Sequence, residues 1–153
     1  MAYIILMVAA LIADQLTKYL VRSNMAVGES ISVIGDFFRL THYENDGAAF
    51  SSLSGQRAIL IIIPVIAIIA GLVYMFTHRR AHRLLQTALA LVISGGAGNL
   101  IDRIAAGKVT DMFDFSIFPP IFNVADICVV VGCGLLIVYI FLYDRLEKKD
   151  ERD

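Results

Sequence analysis

Two aspartates, Asp111 and Asp126, stand fifteen positions apart, with Pro119 and Pro120 between them, beside stretches made almost wholly of hydrocarbon side chains. An ionised carboxylate at the middle of a membrane helix costs on the order of 2.5–3.5 kcal/mol, so paired acids in such a chain imply use. Two carboxyl groups held close together cannot both ionise cheaply. One pKa rises and the pair shares a proton. One member can then take a proton from water while the other hydrogen-bonds a carbonyl, which is acid/base hydrolysis. Each acid also has a plainer reading. Asp126, in FNVAD, is placed to be an N-terminal carboxylate favoured by a helix dipole. Asp111, in GKVTDMFDF, reads as a loop acid after the third apolar run, and Asp114 competes with it as the second acid.

Other polar residues gather near these two. Asn123 lies three before Asp126, where it can share a helix face with it or cap the helix. Asn99, Asp102 and Arg103 close the third apolar run in GGAGNLIDR, whose glycines permit close helix approach. Asp102 and Arg103 are adjacent and cannot face each other on a helix, so each needs a partner elsewhere. Arg103 can hold a carboxylate or a substrate carbonyl, or snorkel to lipid phosphates. Asp14 and Lys18 have the i,i+4 spacing of an ion pair inside a bundle. Asn45 opens NDGAAF, a turn or a loop that reaches the acids. His78 and His82 have metal-ligand spacing but no third ligand, and no metal or cofactor is expected. No GxSxG pattern and no glycine-rich phosphate loop occurs, and Ser94 has no base beside it.

The elements that must position these residues follow from hydropathy. The chain has 153 residues, 58% hydrophobic and 18% charged, with a mean hydropathy of +0.74. Soluble domains run about 45–50% apolar. The excess sits in four runs: Ala2 to Val21, Ala58–Phe76, Leu84–Ile101 and Ile127–Tyr143. A helix needs roughly 20 residues to cross about 30 Å of hydrocarbon, and lipid offers the backbone no partners. The reading is an all-α membrane protein with four transmembrane helices, near 2–22, 57–77, 84–102 and 124–143, in one domain. The first run lacks the basic start of a cleaved signal and is taken as retained. Pro64 is a possible kink in the second. Ser30–Leu40 alternates in part and predicts a small surface β element, whereas Gly107 and Pro119-Pro120 predict loop in the second connecting segment. Cys128 and Cys133, five apart, read as packing residues.

Arg79, Arg80 and Arg83 lie between runs two and three, and Arg145, Lys148, Lys149 and Arg152 follow run four. Positive charge marks the cytoplasmic side, so both termini are expected there and the acids on the outer face. Lys18 and Arg22, at the outer end of run one, oppose this signal locally. A net charge of −1 gives no reason to expect a nucleic-acid partner.

The blocks ADQLTK, NDGAAF, GNLIDR, VTDMFDF and FNVAD, in this order, resemble the bacterial lipoprotein signal peptidases (signal peptidase II), over nearly the whole chain. The resemblance implies four membrane helices with an extracytoplasmic β-cradle and an aspartyl protease mechanism. It assigns Asp111 and Asp126 as the catalytic pair, Asn45, Asn99, Arg103 and Asn123 to the site lining, and Asp14 and Lys18 to support of the fold. It further implies a multi-pass protein of the bacterial cytoplasmic membrane, expected as a monomer among membrane lipids. Its substrates would be diacylglyceryl-modified prolipoproteins, cut just before the lipidated cysteine. Two departures are visible: VTDM where the family often has VVDF, and Ile127 where serine often follows FNxAD. The competing reading is a small proton- or ion-coupled carrier, since intramembrane acids also mark proton relays.

Overall fold

A computed structural model describes residues 1–47 and 56–150, with side chains as far as Tyr143. Four helices form where the apolar runs lie: α1 (Ala2–Asn24), α2 (Arg57–Thr77), α3 (Arg83–Ala105) and α4 (Val124–Asp150). Each contains a span long and apolar enough to cross a membrane, that of α4 being Val124–Tyr143. α1, α3 and α4 continue beyond 2–22, 84–102 and 124–143 into polar flanks, because hydropathy marks the lipid slab and not the last backbone hydrogen bond. Pro64 lies within α2 without ending it.

The helices are built inside out relative to a soluble bundle. On α1, Ile5, Val8, Ile12 and Leu16 are exposed, whereas Asp14 and Lys18 are buried. α3 is the central helix and packs on each of the other three. Of its span 44% is buried, against 11% for α2, and it is also the least apolar span. A helix screened from lipid by its neighbours can carry Gln86, Ser94 and Asp102 in the interior. Close packing depends on small residues. A methyl group at Gly98 would overlap Oδ2 of Asp14, and one at Gly95 would overlap the Ala125 carbonyl oxygen.

At one end of the bundle lies an antiparallel sheet of strand order β1-β2-β3-β4, formed by β1 (Ser30–Ile34), β2 (Phe38–Asn45), β3 (Val109–Phe115) and β4 (Phe118–Phe122). The first hairpin falls where alternation predicts it. The second corrects the sequence reading, since Asp111 sits in a strand and not in a loop, and Pro119-Pro120 lie within β4. β4 is an edge strand, where a missing N–H is tolerated. Val109, Asp111, Phe113 and Phe115 fall on one face of β3, and Thr110, Met112 and Asp114 on the other. Met112 packs with Val21 and Met25 and so seats the sheet on the end of α1.

The glycine contacts separate two substitutions on one helix. Gly98→Ala is expected to lower stability by about 1–3 kcal/mol through overpacking against Asp14. Gly96→Ala, whose new methyl would meet only Ile68 at 3.5 Å, is expected to be neutral or to gain up to about 1 kcal/mol of helix propensity. Thermal unfolding of both variants in detergent checks this; equal midpoints would contradict the packing described.

Candidate active site

Asn123 joins the two aspartates. It precedes α4, and its Oδ1 accepts from the backbone N–H of Asp126 at 2.9 Å. In return its own N–H donates to Asp126 Oδ2 at 3.2 Å. This reciprocal cap satisfies orphan donors at the helix start and fixes the Asp126 rotamer. The side chain of Asn123 then donates through Nδ2 to Asp111 Oδ1 at 2.6 Å. One residue thus holds a carboxylate on the first turn of α4 and a carboxylate on β3.

Two further asparagines complete the set. Asn99 on α3 donates from Nδ2 to Asp126 Oδ1 at 2.7 Å. Its Oδ1 accepts from Lys18 Nζ at 2.9 Å and from Asn123 Nδ2 at 3.1 Å, which determines which way the amide faces. Asn45, the last residue of β2, donates to Asp111 Oδ2 at 3.0 Å and accepts from the Gly47 N–H at 2.9 Å. Tyr43 pairs with Asp111 across the ladder and Asn45 with Val109, so the reach from Asn45 is a diagonal cross-strand contact. All four carboxylate oxygens therefore accept from neutral N–H groups, and no salt bridge reaches either acid among the described residues.

That arrangement has an electrostatic consequence. Asp111 is 1% exposed. Burial pushes its carboxyl up to about 6; the Asn45 hydrogen bond opposes this and the charge of Asp126 adds to it. Arg103 approaches from α3 and donates from Nη2 to the Gly47 carbonyl at 2.7 Å, while its buried Nε has no hydrogen-bond partner among the described residues. Asn45, Asn99, Arg103, Asp111 and Asp126 all open on one cavity of about 690 Å³. Its remaining wall is apolar and is supplied by β4 (Phe118, Pro119, Pro120) and α4 (Val129, Val130). Of those wall residues only Pro119 and Pro120 were singled out from sequence, as loop formers; Phe118, Val129 and Val130, with Tyr43 and Val109, were not. Strand alternation would have placed Tyr43 and Val109 beside Asn45 and Asp111, but the prolines hid β4.

Asp114 lies elsewhere. It accepts from Thr41 Oγ1 at 2.8 Å and faces Arg39 at 3.9 Å, on the opposite side of β3. Asp14 and Lys18 pair at 3.0 Å and are fully buried. Lys18 also meets Asp102 at 3.1 Å, which supplies the partner Asp102 needs. The expected loop NDGAAF is described only as far as Gly47; Ala48, Ala49 and Phe50 lie outside the described residues. His82 caps α3 by accepting from the Leu84 N–H, and His78 stacks on Tyr74.

Comparison with known proteins agrees with this picture. The family model described as signal peptidase (SPase) II matches residues 6–142. A lipoprotein signal peptidase of Desulfitobacterium hafniense is 45% identical over 139 residues, which is 90% of this chain and 91% of that protein. One from Staphylococcus aureus is 41% identical over 152 residues, 97% of this chain and 92% of that protein. A solved bacterial membrane enzyme superposes with a TM-score of 0.87 at 36% identity, covering 92% of this chain and 87% of the other. The motif resemblance, the helical bundle with its small sheet, and alignment over nearly the whole chain converge: the chain belongs to the signal peptidase II family.

Proposed function

We propose that this chain is an intramembrane aspartyl endopeptidase that removes the signal peptide from diacylglyceryl-modified prolipoproteins, cutting before the lipidated cysteine at the extracytoplasmic face. Membership of a peptidase family supports peptide hydrolysis and leaves the carrier alternative without support. The observation that carries the aspartyl reading is Asn123, which holds both acids at one cavity.

In this reading Asp111 carries the shared proton, because burial among neutral donors favours its acid form. Asp126 sits where the α4 dipole favours an anion. The Asp126 carboxylate takes a proton from water, and the water oxygen adds to the scissile carbonyl carbon. Asp111 passes its proton to the carbonyl oxygen, forming a neutral gem-diol. Collapse returns a diol proton to Asp111, breaks the C–N bond, and delivers the proton held on Asp126 to the leaving amine. Asn45, Asn99 and Asn123 hold the acids, and Arg103, which lines the cavity, is placed to bind a substrate backbone carbonyl. A peptide entering must unwind locally, since a helix occupies its own carbonyls. The apolar wall of β4 and α4 suits the acyl chains on the substrate cysteine.

For orientation, Arg79, Arg80 and Arg83 lie at the end remote from the sheet, which favours that end as cytoplasmic. The opposing local signal is weakened by pairing. Lys18 is enclosed by Asp14 and Asp102, and Arg22 meets Asp102 at 3.4 Å, so neither is an uncompensated charge.

Two outcomes are expected of the purified protein with a lipidated precursor peptide, and a third of intact cells. Asp111→Asn and Asp126→Asn each reduce cleavage by about 100- to 10,000-fold, with unfolding midpoints near wild type; normal turnover in either would remove the proposal. The kcat/KM falls about tenfold per pH unit above an apparent pKa of about 6, because the proton held on the pair is lost there; a rate still rising through pH 8 would contradict it. With Cys128 and Cys133 replaced by Ala, Lys108→Cys reacts with an impermeant thiol reagent added to intact cells; labelling only after lysis would invert the topology.

A further inference from the structure

The loop joining α2 and α3 lies at the opposite end of the bundle, roughly 25 Å along α3 from Asn99. It packs against α4 around a hollow of about 500 Å³, lined by Thr77, His78, Arg79, Arg80, Tyr139 and Tyr143. This loop is firmly built. Buried Gln86 donates to the His78 carbonyl at 2.7 Å, and the Ala81 N–H donates to the same oxygen at 3.0 Å. The His78 ring stacks on Tyr74 at 4.3 Å, and His82 stacks on Tyr139 at 6.1 Å. Two arginines are therefore presented on a fixed frame of aromatic rings.

Their pairing differs from that of the cations at the sheet end. Near the sheet, Lys18, Arg22, Arg39 and Lys108 all face carboxylates. Arg79, Arg80 and Arg83 face none among the described residues. Arg79 spends its Nε on the Phe76 carbonyl at 3.1 Å and lies 5.9 Å from the centre of the Phe76 ring, and its terminal nitrogens meet no acceptor among the described residues. Guanidinium forks suit phosphate oxygens, and the helix ends place the hollow at headgroup depth. Tyr143, one turn on from the buried Tyr139 and 50% exposed, continues it outward along the same face of α4.

We propose that this hollow is a binding site for an anionic phospholipid, whose phosphate sits between Arg79 and Arg80 and whose glycerol and upper acyl chain lie against Tyr139 and Tyr143. A zwitterionic lipid brings its own cation to the phosphate and leaves the arginine charge unmatched, so the site selects net-negative headgroups. The inference concerns a surface apart from the two acids and stands whether or not they are catalytic.

The test is thermal unfolding of the full chain in dodecyl maltoside with dioleoylphosphatidylglycerol, dioleoylphosphatidylcholine or sodium phosphate added. Phosphatidylglycerol is expected to raise the midpoint by about 3 °C more than phosphatidylcholine does. The double variant Arg79→Gln/Arg80→Gln loses that difference, whereas Arg39→Gln, at the sheet end, retains it. Peptide cleavage by the double variant in detergent alone is unchanged. Equal shifts with the two lipids, or an undiminished difference in the double variant, would overturn the site. A full shift from sodium phosphate alone would overturn its assignment to lipid.

Discussion

One ammonium group, that of Lys18, ties this structure together. It is completely buried and meets Asp14 at 3.0 Å, Asp102 at 3.1 Å and Asn99 at 2.9 Å. Those partners reach onward. Asp14 accepts from the Ala125 N–H at the start of α4, and Asp102 accepts from the Thr110 N–H on β3. α1, α3, α4 and the sheet are thus joined through two carboxylates and one amide. Arg22 adds a second positive charge beside Asp102, so the cluster as a whole is neutral. Breaking such a buried set from one side leaves an uncompensated charge, at a cost of about 3–5 kcal/mol. The same cluster aligns the amide of Asn99 and through it Asp126, so fold and candidate chemistry share a support.

Around that support the molecule divides its solvents. The outward faces of the helices carry isoleucine, valine and phenylalanine, and the interior carries the charges. The acids sit where the helix ends meet the sheet, a border at which water can reach them and apolar chains can lie alongside. At the opposite end Arg79, Arg80 and Arg83 have no carboxylate partner among the described residues. The two ends thus differ in chemistry as well as in shape.

The use of asparagine around Asp111 and Asp126 is physically consistent with a shared proton. A lysine or arginine in direct contact would hold a carboxylate ionised. A neutral amide supplies a hydrogen bond with much less charge bias. Lys18 contributes its field at one remove, through Asn99. The short link from Asn123 to both acids keeps their relative placement independent of the loops that border the cavity.

Local chemistry determined much of this in advance. Apolar runs of membrane length can only be helices, because hydrocarbon offers the backbone nothing else. The i,i+4 spacing of Asp14 and Lys18 announces their pair, and FNVAD announces a helix start capped by Asn123. Other features depended on tertiary structure. Strand register, not spacing, placed Asp111 toward Asn45 and turned Asp114 toward Arg39, since side chains alternate across a strand and the ladder sets which face meets the bundle. Edge position made room for Pro119-Pro120 in β4. The meeting of Lys18 with Asp102 and of Asn99 with Asp126 joins residues far apart in the chain, and only the packing of helix on helix brings them within hydrogen-bond reach.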